Sequence, residues 1–186
     1  MLFENIAPFV RFATRQTLSS KNDVVNYDHR LYFALEGSAT ITLNSRPYHM
    51  TPNCLLIWHA GTVYSYAKDA DAPSFEIASC NFDYTRCSEH IATPVPPCST
   101  KSFSKSKILS EHVDFEDKKS FNDVIYIPDA SILREPLLQL CQEYQRTTSF
   151  RRLKLNAIFF DVLYHLSRLA EIQSPSATLA EKVVLY

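Results

Sequence analysis

Glycine is nearly absent from this chain: Gly37 and Gly61 are the only two in 186 residues. Neither lies in a run that could cradle a phosphate. GxGxxG is missing, as is GxxxxGK followed by Ser or Thr, which excludes dinucleotide-binding and P-loop readings together. Two isolated glycines point instead to two specific backbone tasks. An excess of one charge is missing too. Nineteen Lys and Arg oppose twenty Asp and Glu, a formal net charge of −1, so nothing marks nucleic acid, a polyanion or a membrane surface as this chain's own partner. No apolar run approaches the roughly 20 residues of a bilayer span. Glu4, Asn5 and Pro8 interrupt the start and no basic segment precedes an apolar one, so no signal peptide is expected. Paired cysteine spacing is lacking as well. Five cysteines, an odd number, suit free thiols in a reduced, cytoplasmic protein.

What is present is ordinary globular material, 46% hydrophobic and 21% charged, enough to exclude a disordered chain and sized for one domain. The first half reads as short strands: Ile6–Arg15, Arg30–Glu36, Ala39–Leu43, Arg46–Met50, Leu55–Trp58, Thr62–Ala67 and Phe75–Tyr84. Glu36-Gly37-Ser38, Asn44-Ser45 and Thr51-Pro52-Asn53 supply turns between them. Strands this close, with no helical period between, indicate a sandwich or small barrel. Residues 93–107 hold three prolines among Ser, Thr and Lys and read as an extended or mobile connection too polar to pack. Asp123–Ile127 is one more strand.

The period then turns helical. Leu133, Leu137, Leu140, Cys141 and Tyr144 share one face, with Pro136 near the helix start where its missing N–H is harmless. A second helix follows Thr147-Thr148-Ser149 and runs to about Ile172. On it Leu155, Phe159, Val162, Leu166 and Leu169 recur at spacings 4, 3, 4, 3, a coiled-coil-like stripe. Ala157, Phe160, Leu163 and Tyr164 occupy a neighbouring face. Two apolar faces exceed what one barrel covers. The expected partner is a second copy, with Leu155 to Leu169 as the dimer stripe. Thr178-Leu179-Ala180-Glu181 fits a capping box, and the chain stops soon after, as if cut where another domain begins.

The order of motifs resembles the cupin barrel: Leu35-Glu36-Gly37 ending a strand, a hairpin, Pro52-Asn53 at a turn, then His59-Ala60-Gly61-Thr62-Val63-Tyr64. With the C-terminal helices, residues 6–173 resemble the ligand-binding and dimerisation domain of AraC-family transcription regulators. The resemblance implies a cupin-like (jelly-roll) barrel over 1–92, a connection with an extra strand over 93–130, a helical hairpin over 131–173, and a linker with a truncated DNA-binding domain over 174–186. It implies a small-molecule effector, a sugar or small organic acid, a homodimer through the helices, and DNA contact only through the missing domain. It also implies a lid role for residues 1–12.

Metal-binding cupins carry a His-x-His pair, a Glu and a closing His. Here Asn22–Asn26 hold no histidine, the Glu position is Arg30 and the closing His position is Tyr64. No metal, cofactor or catalytic residue is therefore expected, and the chain reads as a binding protein without enzymatic activity. Inward alternation from Arg30 and Tyr64 adds Tyr32 and Tyr66 to the expected ligand-binding set, with Arg11, His29 and Trp58 near the same mouth. Tyrosine hydroxyls suit sugars, and a buried arginine suits a carboxylate or phosphate. The competing readings are a cupin-fold enzyme and a structural dimerisation domain whose barrel is filled by its own side chains.

Overall fold

A computed structural model describes residues 1–172. Its strands are β1 (Phe9–Thr17), β2 (Ser20–Val25), β3 (His29–Gly37), β4 (Ala39–Leu43), β5 (Arg46–Met50), β6 (Leu55–Trp58), β7 (Val63–Lys68), β8 (Phe75–Asp83), β9 (Cys98–Ser99) and β10 (Ile125–Ile127). Two helices, α1 (Arg134–Gln145) and α2 (Arg151–Ile172), complete it. The strands form two antiparallel sheets, ordered β1-β8-β3-β6-β10 and β5-β4-β7-β2-β9. The fold is mainly β and cupin-like, with a C-terminal helical hairpin. The capping-box segment Thr178–Glu181 lies outside the described residues.

Local chemistry sets the turns. Asn44 and Ser45 carry positive φ of 45° and 70°, the paired left-handed geometry that a two-residue hairpin between β4 and β5 requires. Asn53, at φ 72°, holds a left-handed position that a short polar side chain tolerates. Gly37 ends β3 at φ 73°, with the Ser74 carbonyl where a side chain would stand.

Alternation on β3 divides the interior into two cores. Leu31, Phe33 and Leu35 join Val10, Ala13, Leu55, Ile57 and Phe82 beneath the helices. Tyr32 and Ala34 join Leu56, Trp58 and Ile77 between the sheets, facing Ile41, Leu43 and Tyr64. β3 therefore has no solvent face over residues 29–35.

Three expectations change. β2 is a strand that hydrophobic pattern could not reveal: Ser20, Asn22 and Asp23 face solvent, and only Val24 and Val25 are buried. The connection over 93–107 is pinned to the barrel by β9, which pairs with β2, although none of its residues is fully buried. Beyond it the expected strand forms as β10 beside β6, and Leu109, Val113, Phe115 and Phe121 are buried. The third change concerns α2. Leu155, Phe159, Val162 and Leu166 are at most 1% exposed and belong to the core under the chain's own sheet, with Leu169 packed against it. The stripe expected to dimerise is thus the stripe that docks the helix. Periodicity located two apolar faces but not which of them meets the sheet.

Polar grips hold α2 in place. Asn156 Oδ1 accepts from the Val10 N–H at 3.2 Å, and Arg152 donates to the Val10 carbonyl at 2.7 Å while covering the Phe9 ring. Arg152, at the helix start, therefore has a structural role.

Gly37→Ala should destabilise the fold by about 3 kcal/mol or more, since it adds a left-handed penalty to a backbone overlap with Ser74. Chemical denaturation of the variant beside the parent checks this.

Candidate functional site

The hollow between the sheets is largely filled by its own residues. Trp58 is wholly buried, donates from Nε1 to Asn26 Oδ1 at 3.0 Å, and lies edge-on to Tyr32 with Tyr64 on its other side. Space remains at one mouth, a cavity of about 270 Å³. Its base is Arg30 on β3 with Ser79 and Asn81 on β8; Phe12 and Gln16 of β1 and Lys21 of β2 form its walls, and Pro94–Pro97 its roof. Arg30 pairs in register with Asn81, and Tyr32 with Ser79, so these polar side chains emerge on one face of the sheet.

Arg30 is 7% exposed. Its Nη1 donates to the Tyr64 hydroxyl at 3.0 Å, and its Nε has no hydrogen-bond partner. Asp28 Oδ1 lies 3.6 Å from that Nε, beyond hydrogen-bond reach, and is itself without a partner, while Oδ2 accepts from Asn81 Nδ2 at 3.0 Å. Burial raises the Asp28 carboxyl above its ordinary range. Burial first, then the Arg30 charge, lowers the Lys21 ammonium below its own.

Of the residues expected to bind a ligand, only Arg30 lines this cavity. Arg11 is fully buried and consumed elsewhere: Nη1 and Nη2 donate to Asp83 Oδ2 at 3.0 and 2.7 Å, and Nε to the Ile91 carbonyl at 3.0 Å. His29 points to the opposite face of β3, among Phe82, Tyr84 and His59, because odd positions of that strand face the helices. Its Nδ1 accepts from the Ala60 N–H at 3.2 Å, and its Nε2 meets the Glu111 carbonyl at 3.1 Å. Trp58, Tyr32 and Tyr64 are packing residues, the last also bonding Arg30. Tyr66 is partly buried beside that core.

Residues 1–12 form no lid over the mouth. The Met1 ammonium donates to the Asp114 carbonyl at 2.7 Å and the Phe3 N–H to Asp117 at 2.8 Å, while Phe3 and Ile6 sit in the helix-side core. Pro94–Pro97 cover the opening instead. Sequence reasoning missed Lys21, Gln16, Ser79, Asn81 and this roof. The signal available was period two in β8, where Ser79, Asn81 and Asp83 alternate with Ala78, Cys80 and Phe82.

Where the cupin resemblance puts metal ligands, the chain has Arg30 bonded to Tyr64. A guanidinium repels a cation and a phenol kept protonated by burial is a poor ligand, so these residues do not fit a metal ion. Among the described residues, no three His, Cys, Asp or Glu gather as a metal site. No helix there is long and apolar enough to cross a membrane.

No family model matches the chain, and no curated protein matches its sequence. Solved structures that align with it include cupin-superfamily proteins. A cupin superfamily protein from Desulfitobacterium hafniense aligns over 40% of this chain and 62% of its own, at 22% identity and TM-score 0.29. A mutant salicylate 1,2-dioxygenase from Pseudoaminobacter salicylatoxidans aligns over 37% and 21%, at 20% identity and TM-score 0.34. A mutant oxalate decarboxylase from Bacillus subtilis aligns over 44% and 28%, at 11% identity and TM-score 0.32. The chain thus spans less than two thirds of each of these proteins. At these scores the likeness carries no argument about chemistry. The expectation of a chain without enzymatic activity is set aside, since the solved structures that align with it include a dioxygenase and a decarboxylase, and neither activity is thereby assigned to this chain.

Burial lowers His29 to about 3, so it stays neutral in the fold while the unfolded chain takes up a proton below 6.5. Stability from this group is complete above 6.5 and lost as pH falls toward 3. Between pH 7 and 5, the parent should lose about 2 kcal/mol more than His29→Gln. Urea titrations of both proteins at the two pH values check this.

Proposed function

We propose that this chain is the small-molecule-sensing and dimerisation part of an AraC-type transcription regulator. The barrel takes a metabolite, a sugar or small organic acid, at the mouth beside Arg30, and DNA contact belongs to a separate domain. The supporting observation is the cavity itself: Phe12, Val95 and three prolines on the apolar side, and Arg30, Lys21, Gln16, Ser79 and Asn81 as polar groups able to orient a guest. Five free thiols fit a reducing cytoplasm.

Dimerisation moves to the other face of α2. Phe150, Leu153, Phe160 and Tyr164 are 82%, 67%, 44% and 52% exposed. Leu153, the exposed Ala157, Phe160 and Tyr164 recur at spacings 4, 3 and 4 along one side of the helix, and Phe150 precedes it with φ 61°. That is the seam a second copy of the same helix would cover, knobs against holes. Grooves of about 310 Å³ lie on either side of Phe160, and both are shaped partly by its ring. A ligand would act through its different affinity for two arrangements of roof, barrel and helix pair.

The competing reading, a barrel closed by its own side chains, draws on the packing of Tyr32, Trp58 and Tyr64. A thermal-shift screen over sugars and organic acids separates the two. A sensor gains stability from its ligand by mass action, and a closed barrel gains none from any of them.

Sedimentation velocity should find the parent dimeric at micromolar concentration and Phe160→Asp monomeric with little change in melting temperature. Leu166→Asp, in the buried stripe, should instead destabilise the monomer by about 3 kcal/mol or more. A monomeric parent would refute the seam.

A further inference from the structure

We propose that the cavity under Pro94–Pro97 takes a small organic monoanion, a carboxylate with an apolar body, whose charge lies between Arg30 and Lys21. This rests on reading that cavity as the ligand site. Three observations select the class.

The first is charge. The lining contains two cations and no acidic side chain. Asp28, the nearby carboxylate, has Oδ2 committed to Asn81 and Oδ1 in a buried ion pair with Arg30 Nε at 3.6 Å. A guanidinium and an ammonium lining one cavity are best complemented by an oxygen acceptor that carries charge. The charges acting at Lys21 come from Arg30, and no carboxylate offsets them. Counting Asp28 against the two cations leaves a single positive charge, matched by a monoanion better than by a phosphate dianion.

The second is the distribution of donors. Ser79 Oγ accepts from Gln16 Nε2 at 3.1 Å and donates toward the Thr14 carbonyl at 3.4 Å. Asn81 Nδ2 is held by Asp28. Asn81 Nδ2 and Gln16 Nε2 each keep one further N–H, but the charged donors in the lining are those of Arg30 and Lys21. A sugar needs partners around its whole rim, and the side chains of the roof supply none, leaving only backbone carbonyls and the Val95 N–H on that side. Proline has no N–H, and its ring and the Val95 side chain are hydrocarbon.

The third is size and shape. About 270 Å³ is just below the usual range of about 300–1,000 Å³ for ligand pockets, so the guest is small. Phe12 and the proline rings offer it flat apolar surfaces opposite the charged end. Three prolines with fixed φ make a roof that loses little entropy on closing over it.

The test uses the whole chain at constant ionic strength, by thermal shift followed by calorimetric titration. The probes are acetate, hexanoate, benzoate and phenylacetate, the amide of each, arabinose, glucose, inorganic phosphate and glucose 6-phosphate. At least one carboxylate should raise the melting temperature saturably while its amide does not. Lys21→Gln, at a half-buried position, should weaken that carboxylate by roughly tenfold and leave the melting of the free protein unchanged. Arg30→Gln should abolish binding. Equal binding of amides or sugars would overturn the anionic class and leave the ligand site standing; tighter binding of either phosphate would overturn the monocarboxylate. If no probe binds, the ligand-site reading falls, and this proposal with it.

Discussion

β3 must satisfy two interiors at once, and most of what distinguishes the molecule follows from that demand. The strand lies between β8 and β6 at the centre of its sheet, with helices over one face and the second sheet over the other. Every side chain from His29 to Leu35 enters one core or the other, by parity alone. Apolar residues meet this requirement without further help. His29 and Arg30 do not, and each needs a polar arrangement built around it. His29 has one, with a donor on Nδ1 and a carbonyl at Nε2, and stays neutral.

Two buried arginines show how differently that need can be met. Arg11 delivers both Nη atoms to Asp83 and its Nε to a carbonyl, so its charge is neutralised and its donors are used. That geometry is what makes a buried ion pair tolerable. Arg30 has Tyr64 on one side and Asp28 just out of reach on the other. The first arginine ties β1 and β8 to the loop that leads into the roof. The second is left facing the mouth of the barrel with capacity to spare. Structural and binding roles are told apart here by which donors are already taken, not by residue type.

Several features were legible in particular residues. Asn44-Ser45 marked a hairpin because a two-residue turn demands positive φ, and the strands on either side end where that turn predicts. Gly37 marked the end of β3 for the same kind of reason. The helical period placed α1 and α2 closely. β2 escaped notice because an edge-facing stretch of Ser, Lys, Asn and Asp gains its strand character from pairing with β7 rather than from burial. Pro94–Pro97 read as a loose connection because prolines and serines carry no periodic signal, although the segment lies across the barrel mouth. His29 was assigned to the pocket by nearness in sequence to Arg30, although alternation sends neighbours to opposite faces.

The sequence by itself determined the class of fold, the turns, the helical hairpin and the presence of an arginine where the cupin resemblance puts a carboxylate. These are properties of short stretches, where backbone sterics and a repeating period act on neighbouring residues. Tertiary structure alone decided which apolar face of α2 meets the sheet, which arginine is saturated and what covers the mouth. Each of those outcomes depends on partners dozens of residues away, Asp83 for Arg11 and Ile91 for its Nε, and hydrogen bonds of that separation leave no period in the chain that forms them.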